Sequence, residues 1–551
     1  MDKVFRLTQK DDQVFAKEKL NFFYKDDLIP AEKKTFLTDL KNSFGPYLGV
    51  KAASGETHGL MDASSQIATF GLGFNPLPFF GTAHHIESWL NRPDTENFKH
   101  IKNSFTDFLK RKIKWEDLYL TFCNSGAEAN EIALGYCYKK RVNHFANKVL
   151  AFEGSFHGRM QVTLSATWNP SKREPFEWKD YLALYSPFPA MNNDEIIRPK
   201  IKNWSEIWME SSSDNLLLPK KWEFIGKKRD ESLLELEVSC LLNVRNHLIK
   251  GDVFAVIIEP MQCEGGDRFG SDRFFQALLL MSKAFRVPVI IDEVQTGFNL
   301  GRDFFWHKSF NLDLEPDYVT LAKKAQIGMV LSHESYQYKI DFSIASAIRG
   351  YIHGVAIDQS QEKILELEKV TRKKLGAFCK RFSKYVENPR VFGLAFALDI
   401  FEKDHLDKLI AIRFNHSLLY YPAGDRTLRF RLNLGFKDAD LDYLFLNLEN
   451  VIREVFEGKT RDDKPIYVKT SDPKEDYEWH HLLLESKLKN IQGKKVNGKE
   501  AYSKIKKHFE KKHKVTLHIL NKNTFKKWRK KNNLSGKRSL RAGPSNTNRR
   551  I

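Results

Sequence analysis

The chain has 551 residues and a net charge of +19, and 42% of its residues are hydrophobic, a composition that excludes a fully disordered protein. Its five cysteines are scattered and odd in number, which argues against a disulfide framework and favours a reducing, cytoplasmic location. No stretch is long and apolar enough to predict a transmembrane segment, so we expect an untargeted protein of two or three domains.

The predicted elements alternate between strands and helices, as in an α/β domain. An apolar run at 118–122 predicts a buried strand, and the polar turn after it leads into a helical pattern. Three later apolar runs, at 148–152, 253–258 and 287–291, also end in polar clusters. Open parallel sheets bind ligands at the carboxyl ends of their strands, so these clusters contain the candidate site residues.

The first polar cluster contains Ser125, Gly126 and Ala127, where a strand enters a helix. Free backbone N–H groups and the positive end of the helix could hold a phosphate there. The same residues are also common in turns and helix caps. The pattern by itself therefore leaves phosphate binding and simple capping as alternatives.

Two further clusters also allow a structural and a chemical interpretation. Phe156 and His157 offer a flat surface and a hydrogen bond, but a Phe-His pair is also common in cores. Asp292 ends an apolar run, where a buried carboxylate needs a partner. That partner is a salt bridge or a helix cap in most proteins, and a cationic ring nitrogen is the other option.

The acidic cluster of Glu259, Glu264 and Asp267 lies beside two glycines. Carboxylates of this kind suggest a metal, but no histidine joins them at ligand spacing. We therefore predict no metal site.

Two adjacent lysines, Lys323 and Lys324, occur in the segment "LAKKAQIG". Lysine pairs are common in solvated turns, so this pair alone indicates nothing. Taken together with the other clusters, however, a lysine completes a recognisable set. A phosphate cradle, an aromatic face, a carboxylate for a pyridinium nitrogen and a lysine for a carbonyl are the groups that pyridoxal phosphate requires.

Six motifs carry a resemblance to a known family: "NSGAEAN", "SFHGR", "IIEPMQCEGGD", "IIDEVQTGF", "LAKKAQIG" and "PAGDRTLRFRLNL". In order and spacing they resemble the class III, or omega, aminotransferases of pyridoxal phosphate fold type I, closest to the lysine and GABA (4-aminobutyrate) aminotransferases. The resemblance extends from about residue 62 to about residue 457. It implies an α/β fold with a large domain, whose mostly parallel central sheet is flanked by helices, a smaller α+β domain and a basic C-terminal extension.

The resemblance also implies a domain organisation and a homodimer with active sites at the subunit interface. Residues 1–69 would form an N-terminal segment of the small domain, and 70–330 the large cofactor-binding domain. Residues 331–458 would complete the small domain. Residues 459–551 would form the basic extension, partly disordered or helical.

The cofactor-binding roles follow from the same resemblance. The family's Schiff-base lysine is followed after three residues by a glycine, which assigns Lys324 as anchor and acid/base catalyst. Asp292 would pair with the pyridine nitrogen, Gln295 with the ring hydroxyl, and Phe156 would stack on the ring. The implied cofactor-binding set is Ser125, Gly126, Ala127, Phe156, His157, Asp292, Gln295 and Lys324.

The substrate-binding roles are likewise implied. Arg429 matches the family's arginine for the α-carboxylate of glutamate or 2-oxoglutarate. Glu264 matches the glutamate that pairs with this arginine when the donor presents its terminal amine, and Glu259 completes the set. The resemblance therefore implies a ping-pong Schiff-base aminotransferase that moves an amino group from an omega-amino donor, such as lysine, GABA, ornithine or a diamine, to 2-oxoglutarate.

Two departures from the family pattern concern the donor and the cofactor phosphate. Ala190, in "SPFPAMNN", occupies the place of the arginine for the donor's distal carboxylate, with Arg198 as a possible substitute. The segment "ASAIRGYIHG" lacks the family's threonine that reaches a phosphate across the dimer interface. Arg349 in this segment is the candidate replacement.

The basic tail lies outside the resemblance. From 471 to 551 there are 23 Lys or Arg and 7 Asp or Glu, a net of +16, which leaves +3 for the rest of the chain. With aromatics such as Phe525 and Trp528, the stretch 487–551 could contact RNA, DNA or an anionic membrane, or could be a solvated extension.

Two alternatives to an aminotransferase remain at this stage. The first is a class III mutase, racemase or decarboxylase on the same fold. The second is a catalytically retired protein that acts through nucleic-acid binding by its tail. The presence of Asp292, Gln295 and Lys324 argues against retirement, whereas Ala190 and the missing threonine argue for it.

Overall fold

The computed structural model describes residues 37–459 apart from nine stretches. These are 39, 41–42, 44, 52–56, 77–94, 178–182, 192–227, 311 and 337–341. The predictions for residues 1–36, for Arg198 and for the basic tail beyond residue 459 lie outside the described residues.

The strands of the described residues are numbered in chain order. They are β1 (Leu37–Thr38), β2 (Tyr47–Lys51), β3 (Thr57–Asp62), β4 (Tyr119–Cys123), β5 (Lys148–Phe152), β6 (Leu184–Ser186), β7 (Val253–Ile258), β8 (Met261–Gln262), β9 (Arg268–Phe269), β10 (Val289–Asp292), β11 (Tyr318–Leu321), β12 (Gly328–Ser332), β13 (Val386–Phe392), β14 (Ala395–Ile400), β15 (Leu418–Leu419), β16 (Tyr421–Ala423) and β17 (Thr427–Arg431).

The helices of the described residues are numbered in the same way. They are α1 (Thr95–Ile113), α2 (Gly126–Lys140), α3 (Gln161–Ser165), α4 (Pro170–Arg173), α5 (Lys228–Leu248), α6 (Asp272–Ala284), α7 (Ile344–Asp358), α8 (Gln361–Arg381), α9 (Lys403–Ile412) and α10 (Asp438–Glu457). Short 3₁₀ turns occur at Trp306–Ser309, Lys323–Ala325 and Arg413–His416, and one left-handed helical turn lies at Ser65–Ala68. Within the described part of the chain, every helix is too short or too polar to cross a membrane.

A seven-stranded sheet in the order β4-β12-β11-β10-β7-β5-β6 forms the centre of the molecule. Its neighbouring strands are parallel, except that β12 runs antiparallel to both β11 and β4. Every residue of β7, β10, β11 and β12 is buried, as expected where helices cover both faces of a sheet. This mostly parallel sheet confirms the predicted α/β class.

Two smaller sheets carry the remaining long strands. One is antiparallel in the order β13-β14-β17-β16, and the other has the order β1-β2-β3-β15. In the first, Arg429 of β17 lies opposite Ala397 of β14. The domain limits at residues 69, 330 and 458 stay a prediction.

The carboxyl ends of the parallel strands lie at one edge of the central sheet. Because polar segments follow β4, β5, β7, β10 and β11 at this edge, residues far apart in sequence meet there. The edge is therefore the natural position for the site.

Candidate functional site

A cavity of about 500 Å³ lies at this edge of the sheet. It brings together most of the residues that the sequence singled out: Ser125, Gly126, Ala127, Phe156, His157, Glu259, Glu264, Asp292 and Gln295. Lys323 also lines the cavity. The segments that follow β4, β5, β7, β10 and β11 thus each form part of the cavity wall.

The start of α2 forms one end of the cavity. The Ser125 side chain caps the helix and accepts a hydrogen bond from the Glu128 N–H at 3.2 Å. The N–H groups of the first turn, at Gly126 and Ala127, have no intrahelical acceptor, and they lie at the positive end of the helix dipole. A Cβ at Gly126 would come within 2.5 Å of Val294, so only glycine fits this approach.

Asp292, at the end of β10, is held rigidly in the cavity wall. Its Oδ2 accepts a hydrogen bond from Asn130 at 2.7 Å and lies 2.8 Å from Nδ1 of His157. Its Oδ1 accepts the Val294 N–H at 2.9 Å. Asn130 is itself fixed, because Thr320 donates to its amide oxygen at 2.6 Å. Asn130, which lies one helical turn inside α2, was not among the residues predicted from the sequence.

Glu259 holds the backbone beneath the cavity. Its two carboxylate oxygens accept the N–H groups of Phe156 at 3.0 Å and Cys263 at 3.1 Å. Burial raises the pKa of Glu259 to about 7, with His157 opposing and Asp292 adding to the effect. Its carboxylate thus fixes the position of Phe156, and its implied contact with a substrate stays a prediction.

The two adjacent lysines differ in their burial and in the residues that they contact. Lys323 is half-buried and lines the cavity, with a left-handed backbone (φ 50°) that is uncommon for a side-chain-bearing residue. Lys324 is 2% exposed and lies outside the lining of the cavity; its Nζ donates to the Gln295 carbonyl at 2.8 Å. Lys323 therefore lines the cavity, whereas Lys324 is buried against Gln295, another lining residue, and its role as the cofactor anchor stays a prediction.

The surroundings of Lys323 favour a neutral amine. Burial, followed by the positive charge of Arg429, lowers the pKa of Lys323 to about 8. Burial also lowers the pKa of Lys324 well below its ordinary value. Two lysines next to each other in sequence thus point to different environments.

Arg429 of β17 and Glu264 form an ion pair at the cavity. Arg429 donates to Oε2 of Glu264 at 2.7 Å and to the Cys263 carbonyl at 3.0 Å. The other carboxylate oxygen of Glu264 contacts the ammonium group of Lys172. Lys172 was missed in the sequence analysis, because it lies in the short helix α4, which follows no recognised motif.

A second arginine supports Gln295. Arg431 pairs with both carboxylate oxygens of Asp267, and its Nε donates to the Gln295 side chain at 3.1 Å. Asp267 was considered as part of an acidic cluster, and its carboxylate is instead engaged by this arginine. Among the described residues, no group of three His, Cys, Asp or Glu side chains is placed to hold a metal.

The two departures from the family pattern lie outside the cavity lining. Ala190 is half-buried and packs against the main hydrophobic core. Arg349 is exposed on α7. Neither position therefore contributes a charge to the cavity of the single chain.

Comparison with known proteins identifies relatives over most of the chain. A family model described as aminotransferase class-III matches residues 47–452. The probable mitochondrial 4-aminobutyrate aminotransferase of Caenorhabditis elegans is 26% identical over 458 residues, covering 76% of this chain and 88% of the relative. The L-lysine-epsilon aminotransferase of Mycobacterium tuberculosis is 26% identical over 436 residues, covering 73% and 89%.

Solved structures show the same fold. The lysine aminotransferase of M. tuberculosis superposes with a TM-score of 0.64 at 22% identity, covering 81% of this chain and 98% of that one. A pyridoxamine phosphate-bound aminotransferase from Vibrio fluvialis gives a TM-score of 0.61 at 16% identity, covering 77% and 94%.

Proposed function

The chain belongs to the class III aminotransferases, enzymes that depend on pyridoxal phosphate, and we propose that it moves an amino group from an omega-amino donor to 2-oxoglutarate. Relatives named for 4-aminobutyrate and lysine support a donor whose amine is at the end of a carbon chain. The ion pair of Arg429 and Glu264 beside Lys323 is the observation that carries the proposal.

The cavity fits the cofactor. Gly126 keeps the start of α2 free of a side chain, so its N–H groups suit a phosphate. Asp292 presents a fixed carboxylate of the kind that a pyridinium nitrogen requires, and Phe156 offers an aromatic face. Nε2 of His157 is buried at this wall without a hydrogen-bond partner among the described residues, which suits a bound polar ligand.

Lys324, the lysine that is followed after three residues by Gly328, is proposed as the residue that anchors the cofactor and carries the proton. When bound, pyridoxal phosphate supplies an aldehyde for amines and a ring that accepts electrons from the substrate carbon. Burial lowers the pKa of Lys324 well below its ordinary value and favours the neutral amine, so the Nζ can act as a nucleophile and later accept a proton. This Nζ lies 2.8 Å from the Gln295 carbonyl, at a residue that lines the cavity.

Arg429 and Glu264 are proposed to let one cavity accept two unlike substrates. With Glu264 paired to it, Arg429 is neutralised, and a donor can approach with its terminal amine. When Glu264 moves away, the planar guanidinium can bind the α-carboxylate of 2-oxoglutarate through two hydrogen bonds. Arg429 is buried, so an unpaired state would be costly unless a carboxylate replaces Glu264.

The experiment measures both halves of the proposed transfer. The purified protein, loaded with pyridoxal phosphate, is mixed singly with lysine, ornithine, a diamine or GABA, and its visible absorption is followed. The cofactor band should bleach with one class of donor and return when 2-oxoglutarate is added, with glutamate formed in equal amount. A protein that binds the cofactor but responds to none of the amines would contradict the proposal.

We further propose a cytoplasmic homodimer in which the exposed Arg349 replaces the missing threonine at the partner's phosphate. The family resemblance supports the dimer, and the scattered cysteines support the location. Sedimentation of wild-type protein and Arg349→Ala, with and without cofactor, tests whether the chain dimerises and whether Arg349 contributes.

Truncation at residue 465 tests whether the basic tail binds RNA or DNA independently of turnover.

A further inference from the structure

Glu264 is held by two cations, one on each carboxylate oxygen. Arg429 donates to Oε2 at 2.7 Å, and the ammonium of Lys172 contacts Oε1. The side chains of Lys172 and Glu264 are 24% and 22% exposed, whereas that of Arg429 is 7% exposed. The lysine therefore holds Glu264 from the open side of the cavity, and the arginine holds it from the buried side.

The position of Lys172 is fixed by its helix. Asn169 caps α4 by accepting the Ser171 N–H at 3.0 Å. Arg173, the residue after Lys172, donates a hydrogen bond to the Thr167 carbonyl at 3.2 Å, which fixes the helix in place. The Lys172 ammonium lies 5.2 Å from the centre of the Phe156 ring. Lys172 thus contacts two residues that line the cavity, Phe156 and Glu264, although no sequence motif marks it.

The local charge favours a carboxylate partner for Lys172. Burial lowers the pKa of Lys172 to about 8, and the positive charges of Arg429, Arg159 and Lys323 add to this effect, while Glu259 opposes it. An ammonium in such surroundings needs a counter-ion close by, and Glu264 supplies it. Loss of Glu264 to solvent would leave these cations facing one another.

We propose that Lys172 is the second partner of a two-position switch, and that Glu264 remains on Lys172 when a substrate carboxylate takes its place on Arg429. This inference rests on the proposed function, and it identifies Lys172 as a residue that helps the site to select its substrate. No covalent bond changes in the exchange. Before it, two cations share one carboxylate; after it, each cation has a carboxylate of its own.

The switch gives Lys172 a role in substrate selection. A 2-oxo acid or an α-amino acid must displace Glu264 from Arg429, and Lys172 lowers the cost of that displacement by keeping Glu264 paired. A donor that reacts through its terminal amine leaves the Arg429 pair intact. Lys172 should therefore assist carboxylate-bearing acceptors and have little influence on omega-amine donors.

The test measures binding of 2-oxoglutarate to the cofactor-loaded protein by calorimetry, which does not require turnover. Lys172→Met should raise the Kd for 2-oxoglutarate roughly tenfold, and Lys172→Arg should restore it. The matched control is Lys112→Met, because Lys112 pairs with Asp358 at 2.7 Å with similar side-chain exposure, 29% and 31%, on a different surface. Its Kd should equal that of wild type.

A double-mutant cycle identifies the route of the effect. In a Glu264→Gln background, Lys172→Met should leave the Kd unchanged, because Lys172 acts through the Glu264 carboxylate. A tenfold effect that persists in this background would mean that Lys172 binds the substrate itself, and an unchanged Kd in the single variant would also overturn the switch. If 2-oxoglutarate binds as expected but no donor reacts, the proposed function fails and the switch stands.

Discussion

The choice between Lys323 and Lys324 leads to a prediction with a defined magnitude. Lys324→Ala should abolish covalent attachment of the cofactor, whereas Lys323→Met should retain it. At about pH 7.5, an amine with a pKa of about 8, such as Lys323, is neutral in roughly a quarter of molecules, against roughly one in a thousand at the ordinary value of 10.5. The surroundings thus raise the neutral fraction of Lys323 roughly 200-fold, and burial shifts the pKa of Lys324 in the same direction.

The pH dependence has a definite sign. Below its pKa the Lys324 amine is protonated and cannot attack a carbonyl, so the rate of cofactor attachment to apoprotein should rise with pH. Because burial lowers this pKa well below its ordinary value, the rate should level off well before pH 10.5. A lysine with an ordinary pKa would instead show a rate that keeps rising towards pH 10.5.

The assay combines stopped-flow absorbance with borohydride trapping. Cofactor uptake is recorded between pH 6 and 10, and the trapped protein is digested and sequenced by mass spectrometry. The phosphopyridoxyl group is expected on Lys324 in wild type and in Lys323→Met. Modification of Lys323, or a Lys324→Ala variant that still carries trapped cofactor, would refute the assignment. Thermal melting of each variant shows that it is folded.

Three other predictions concern the supporting residues. Gly126→Ala should weaken cofactor binding in an equilibrium titration, because its Cβ would meet Val294 at 2.5 Å, and Val294→Ala in the same chain should recover part of the affinity. Asp292→Asn should keep the cofactor but slow single-turnover amine transfer by about 100-fold or more, and a cofactor methylated on its ring nitrogen should recover part of the rate; an unchanged rate would contradict the role. Arg431→Met should lower the free energy of unfolding in urea by about 3–5 kcal/mol, because it leaves the buried carboxylate of Asp267 unpaired. A loss below about 1 kcal/mol, as for an exposed pair, would show that this carboxylate finds another partner.

Local pattern was sufficient to predict the sheet and most of the cavity lining. The apolar run at 148–152 is β5, and the run at 118–122 is offset by one residue from β4. Runs of buried residues with polar ends are a local property, because a strand covered on both faces must be apolar until it leaves the sheet. The residues after each run therefore reached the cavity as expected, from Ser125 to Asp292.

The sequence did not indicate how β12 enters the sheet. Its pattern is apolar, but it runs antiparallel between β11 and β4. An apolar run specifies burial on both faces and carries no information on strand direction or neighbours. That information depends on the path of the chain between strands.

The amino-acid sequence by itself determined the class of fold, the edge that carries the site and the residue types available there. Only the tertiary structure decided that Lys324 is buried against the Gln295 carbonyl while its neighbour Lys323 lines the cavity. It also decided that Lys172 and Arg429 share Glu264, although they are separated by more than half of the described chain. Spacing along a chain reports periodicity within one element, whereas ion pairs between distant elements depend on how those elements pack.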